Sequence, residues 1–104
     1  MRLLIGPEAE AQIEAIDTWW RTNRPASPEL FVSELAIAFD LIQAMPRFGR
    51  SVRQVNVEGL RRILLRATRN HVFYAPLADD TLVVLAVWSA VRGAGPDLRN
   101  LPGR

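Results

Sequence analysis

The hydrophobic period of this chain changes once, near Pro46, and that change does most to restrict its fold. Before Pro46, apolar side chains return every three or four residues. Ala9, Ile13, Ile16 and Trp20 form one such series, and Phe31, Leu35, Ala38, Ile42 and Met45 form a second, so each set lies along one face of a helix. After Pro46 the period is two. Ile63, Leu65 and Ala67 point to one side, and Arg62, Leu64 and Arg66 to the other, as in a strand. The run "TLVVLAVW" at 81–88 is apolar at both parities and reads as a central strand covered on both faces.

Local signals divide these stretches into elements. Residues 2–5 are a short apolar strand. Pro7 at a first helical position, with Glu8 and Glu10 in the positive first turn, opens a helix that Asn23-Arg24-Pro25 ends. Ser27 before Pro28-Glu29 reads as the N-cap of a second helix, which Pro46 stops. Two helices joined by about five residues form an antiparallel αα-hairpin. "SVRQVNV" (51–57) reads as an edge strand, and Gly59 makes a turn into the strand 61–67. Thr68-Arg69-Asn70 turns the chain into a return strand at 71–75, and Ala78-Asp79-Asp80 turns it again. The predicted order is β-α-α-β-β-β-β, an N-terminal strand and αα-hairpin packed on an antiparallel sheet, of the α+β class. A length of 104 residues suits a single domain, here 1–92, with the Gly- and Pro-rich 93–104 as a loop or flexible tail. "RGAGPDL" is not a dinucleotide-binding fingerprint, because Leu98 stands where a glycine is required and Pro96 where a helix should run.

Composition removes several function classes. There are no cysteines and one histidine, His71, so neither a disulfide framework nor a zinc site is expected, and the residues call for no metal or cofactor. The longest apolar run, "LVVLAVWSAV", is about half a membrane span. The N-terminus turns acidic too early for a signal peptide, so a cytoplasmic protein is expected. The formal charge of +2 conceals a strong asymmetry. Residues 1–46 carry −4, residues 47–74 carry +6, and the remainder is neutral. All 13 basic residues are arginine, the side chain best shaped for planar contacts to carboxylates and phosphates.

The basic segment is concentrated in "GLRRILLRATRNHVFY" (59–74), which holds Arg61, Arg62, Arg66, Arg69 and His71 and no acid. A charge on a sheet must reach water, an acidic neighbour or an acidic partner, since burying it alone is costly. With Ile63 and Leu65 under the helices, Arg61 is expected at the margin of that face, within reach of a helical acid. Arg62, Leu64 and Arg66 then form a basic-apolar-basic strip on the open face, suited to an acidic amphipathic segment. Trp19 points about 100° away from Trp20 on an ideal helix and is the better candidate for an exposed contact. No catalytic residue is assigned. A metal-free ribonuclease would draw on Arg61, Arg66, His71, Tyr74 and Arg92, with His71 or Tyr74 moving the proton and the arginines holding the phosphate.

The succession of motifs resembles the ParE/RelE superfamily, the toxin half of type II toxin–antitoxin modules, often labelled plasmid stabilisation proteins. Two helices end in "MPRFGR" (Pro46, Gly49, Arg50). "GLR" (Gly59, Leu60, Arg61) and "VFY" (Val72, Phe73, Tyr74) follow, then an acidic turn and a last apolar strand with Arg92 just after it. The resemblance spans about 1–92. It implies a co-encoded antitoxin whose DNA-binding part lies at its N-terminus and whose acidic C-terminal segment wraps the toxin, folding as it binds. Contact with DNA would then be indirect. Arg61, Arg62, Leu64, Arg66 and Trp19 are the residues expected to meet that segment. Within the superfamily, RelE-like members cut mRNA on the ribosome and ParE-like members poison DNA gyrase. Trp88 and Ser89 stand where the ribonuclease branch often has a His/Tyr pair, and His71 near where it often has an arginine. That pattern favours the gyrase-directed branch. A ribosome-dependent endoribonuclease is the alternative, and a small basic binding domain without toxicity is a third reading.

Overall fold

The computed structural model describes residues 1–91. The chain runs β1 (Arg2–Ile5), α1 (Pro7–Asn23), α2 (Leu30–Ala44), β2 (Arg50–Ser51), β3 (Arg61–Leu65), β4 (Asn70–Ala78) and β5 (Thr81–Ser89). This is the α+β order expected from the period change. The five strands form one sheet in the order β1-β5-β4-β3-β2. From β2 to β5 all pairings are antiparallel, while β1 lies parallel to β5 and makes the sheet mixed. Its position makes β5 a central strand, and 81–88 is apolar at both parities because both faces are covered there, Leu82 and Val84 packing with the helices and Val83 and Leu85 under the 52–60 loop.

Both faces of the sheet are covered, by different means. On one face the helices bury Phe31, Leu35, Ala38 and Ile42 against Leu65, Val72, Tyr74 and Val84. Each fully buried Ile, Leu or Phe side chain contributes about 1.5–3 kcal/mol, so this face carries much of the stability. On the other face Val57 and Leu60 pack on Phe73, Ala75, Val83 and Leu85, with Val52 at the margin.

Three local expectations are corrected. Residues 51–57 do not form a strand: β2 stops at Ser51, and 52–60 crosses the second face as a loop. Val52, Val57 and Leu60 gain more by covering apolar strands there than by extending an edge ladder. Ser27 does not cap α2. It lies in a turn, where its carbonyl accepts from the Leu30 amide, and Glu29 holds the N-cap position without a side-chain bond. The strand expected over 61–67 ends at Leu65, and β4 starts at Asn70 and runs on to Ala78 through two register irregularities. The proposed tail, 93–104, lies outside the described residues, as does Arg92.

Candidate functional site

The residues around Pro46 are fixed by a small set of buried bonds. Tyr74 is 1% exposed and sits on the helical side of β4. Its hydroxyl donates to the Pro46 carbonyl and accepts from the Gly49 amide, each at 2.9 Å. Arg61 lies opposite Tyr74 in the ladder, on the same face. Its guanidinium donates to the Gly49 carbonyl at 2.7 Å and the Arg47 carbonyl at 3.3 Å. The expected acidic neighbour is replaced by backbone carbonyls, because the 46–50 segment lies closer to Arg61 than any helical carboxylate. Gly49 has no room for a side chain, since a β-carbon there would lie 2.9 Å from the Arg62 carbonyl oxygen. "MPRFGR", "GLR" and "VFY" are therefore three parts of one internal clasp.

What the clasp presents is a groove. Because 46–50 is pinned, Phe48 is held outward, 55% exposed, beside the end of α2. The groove, about 620 Å³, runs between α2 and β3. Ile37, Leu41, Phe48 and Leu64 give it an apolar lining, and Arg50, Arg62 and Arg66 line it with charge. Ile37 is 70% exposed on a helix whose core stripe is Phe31, Leu35, Ala38 and Ile42. A helix apolar beyond its buried stripe is one prepared to bury more.

The side of β3 that borders this groove is only partly paired. β2 pairs with β3 only at Arg61 and Arg62, leaving residues 63–65 without a ladder partner on that side among the described residues. The alternation of peptide groups locates the open ones. Leu60 accepts from Val52 on the β2 side, and Leu65 accepts from Arg69 on the β4 side. Even-numbered residues thus face outward, and the N–H and C=O of Leu64 point into the opening.

The acid nearest this opening is already committed. Glu34 of α2 accepts from the Ala67 and Thr68 amides at 2.7 and 3.1 Å and from the Thr68 hydroxyl at 2.7 Å. It holds the β3–β4 turn and leaves the arginines alone. Among the described residues the ion pairs are Arg21 with Asp17 and Arg21 with Glu29, so Arg50, Arg62 and Arg66 have no carboxylate.

The remaining predicted residues divide between the groove and other places. Arg62, Leu64, Arg66 and His71 come together in it. His71 stacks edge-on against Phe73 at 6.0 Å. Burial and then the Arg62 charge hold its pKa below 6.5. Trp19 is 47% exposed as expected, but it lies near the C-terminal end of α1, with the Arg24 guanidinium 5.2 Å from its ring centre and Trp20 edge-on at 5.8 Å. Tyr74 is inside the protein. Burial raises its pKa, opposed by the Gly49 bond and by Arg61, and its hydroxyl already has both a donor and an acceptor. Sequence reasoning missed Ile37, Leu41 and Phe48. Their signal was present, as an α2 with two charges in 15 residues and an aromatic between two arginines.

No group of acidic or histidine side chains suited to a metal ion occurs among the described residues, and no helix there is long and apolar enough to cross a membrane. A comparison with curated proteins finds no match. The family model described as the ParE toxin of the type II toxin–antitoxin system, parDE, matches residues 3–92. That span contains the clasp, the groove and, but for Arg2, every strand of the sheet, and the chain belongs to the ParE toxin family.

Proposed function

We propose that this chain is a cytoplasmic toxin that binds and poisons DNA gyrase and is neutralised by a co-encoded antitoxin whose acidic C-terminal segment lies in the α2–β3 groove. The observation that carries the antitoxin half is the groove itself. Among the described residues it combines an apolar lining, three arginines without carboxylates, and an open strand edge. An acidic amphipathic segment supplies what each of these lacks: apolar side chains for Ile37, Leu41 and Phe48, carboxylates for the arginines, and peptide groups for Leu64. Trp19 offers a further contact on the helical side.

Membership of the ParE family supports gyrase as the target, and the placement of Tyr74 supports a non-hydrolytic action. A ribonuclease reading needs an accessible proton donor, whereas this hydroxyl is buried and bonded on both sides. The test is a supercoiling assay with purified gyrase. The chain should block supercoiling and trap cleaved DNA, and the product of the adjacent antitoxin frame should reverse both. Normal supercoiling together with cleavage of translated mRNA would establish the ribonuclease reading instead. Neither effect would leave a binding domain without toxicity.

A further inference from the structure

Arg50 and Arg62 stand directly opposite each other where β2 pairs with β3. Directly opposed residues of an antiparallel pair share one face of the sheet, with β-carbons about 4.5–5.5 Å apart. That face is the second one, because Arg62 is in turn opposite Phe73 of β4, which packs with Val57 and Leu60. Two like charges so placed oppose the pairing that brings them together. No carboxylate of the described residues offsets this. Neither guanidinium has an ion pair there, Glu34 is spent on the β3–β4 turn, and Glu58, the one acid between 47 and 74, pairs with no arginine.

We propose that this pair is a clamp for one oxyanion, a single carboxylate of the acidic segment, which reaches it by crossing from the helical face of the sheet to the second. The occupant rests on the groove reading above, and the clamp adds where its charge is taken. Ile37 and Leu41 belong to α2, on the helical face, whereas Arg50 and Arg62 lie on the second face. All four line one groove, so the groove turns around β3, past the stretch beyond Arg62 that β2 leaves uncovered. A segment that fills both halves therefore carries apolar residues at one end and the clamped acid at the other. The two oxygens of one carboxylate can accept from both guanidiniums, which replaces a repulsion by two charge-assisted contacts. His71 lies beside the clamp and reports on it. It is the single histidine of the chain, opposite Leu64 on one side and Trp88 on the other, with Phe73 edge-on to it. Burial and then the Arg62 charge lower its pKa, so an anion held on Arg62 must raise it.

The first arm of the test uses the chain alone, with sulfate as the oxyanion and NaCl matching its ionic strength. Sulfate keeps its charge while His71 titrates. The pKa of the ring, followed by NMR, should rise with sulfate in wild type and not respond in Arg50→Gln or Arg62→Gln. Without sulfate, at low salt, both variants should melt no lower than wild type, because each removes a repulsion. The second arm titrates each protein with the product of the adjacent antitoxin frame. Either substitution should weaken binding at least about tenfold, a change of 1.4 kcal/mol. A wild-type His71 that sulfate leaves unmoved, or equal antitoxin binding by wild type and both variants, overturns the clamp while the groove reading stands. No binding by wild type sinks that reading and the occupant together. An oligothymidylate held through Arg50 and Arg62, with antitoxin affinity indifferent to both, would overturn the carboxylate and assign the pair to nucleic acid. Should the variants fail to fold, the wild-type response to sulfate decides alone.

Discussion

Gly49 and Tyr74 share a single space: the Gly49 amide donates to the tyrosine oxygen at 2.9 Å, and a β-carbon on Gly49 would stand 2.5 Å from that oxygen. The glycine is required by this close approach, with the Arg62 carbonyl closing the other side. Gly49→Ala should therefore destabilise the protein by about 2–3 kcal/mol, through overpacking and loss of the bond. Tyr74→Phe removes the hydroxyl and leaves the Gly49 amide and Pro46 carbonyl short of a partner, at roughly 1–3 kcal/mol. Urea midpoints would record both losses. The activity of the molecules still folded should be unaltered in Tyr74→Phe, and a large loss there would return Tyr74 to the catalytic candidates.

Glu34 should matter for the β3–β4 turn. Three donors converge on its carboxylate, and bonds to a charged acceptor are the stronger kind. Glu34→Ala should cost roughly 1.5–3 kcal/mol, with Glu34→Gln intermediate because one amide oxygen remains. Amide exchange at Ala67 and Thr68 should accelerate in both variants. Protection at those two amides equal to wild type would show that the turn holds itself.

The same turn contains Arg69 at φ 62°, a left-handed conformation that costs energy in any residue with a β-carbon and almost none in glycine. Arg69→Gly should raise stability by up to about 1 kcal/mol, the gain being partly offset by the freer unfolded chain. A lower melting temperature for this variant would mean that the arginine side chain contributes more than its backbone costs.

The sequence shows the architecture well, because a change of period is a property of consecutive residues. It shows α1, β3 and β5 for the same reason, each having a regular apolar face. It misleads at Ser27, where a good capping residue precedes a turn instead of a helix, and at 51–57, where an alternating pattern covers a sheet instead of joining one. Both outcomes depend on distant packing. The candidate site was half legible. Arg62, Leu64 and Arg66 follow from alternation within one strand, whereas Phe48 and Ile37 join them only because Tyr74 and Arg61 pin 46–50 beside α2. The resemblance motifs were legible as a pattern, but their physical purpose, holding that segment in place, required the structure.

His71 gives a pH dependence of known sign. Its folded pKa lies below the ordinary 6.5, through burial first and Arg62 second. Between these two values the unfolded chain binds more proton than the folded one, so stability is full above pH 6.5 and falls as pH drops towards the folded value. The ring is only partly buried, so the effect should be small. His71→Gln should flatten the stability profile just below pH 6.5 and leave it unchanged at pH 8. Parallel profiles for the two proteins across that window would contradict the assignment.

Arg62 and Arg66 should carry much of the affinity for an acidic antitoxin segment. They flank Leu64 in the groove, and no carboxylate among the described residues meets them, so binding need not break an existing ion pair first. Where the segment excludes water, each charge-assisted bond contributes about 1.5–3 kcal/mol, while a bond left in solvent contributes far less. Arg62→Ala/Arg66→Ala should then weaken antitoxin binding by about two orders of magnitude or more at low salt. The gap to wild type should narrow at high salt, because wild type has the larger electrostatic share to lose. Calorimetric titrations at two ionic strengths measure both quantities. Equal affinities at both, with the fold intact, would show these arginines to be a solvated face, and the docking site would have to be sought elsewhere on the chain.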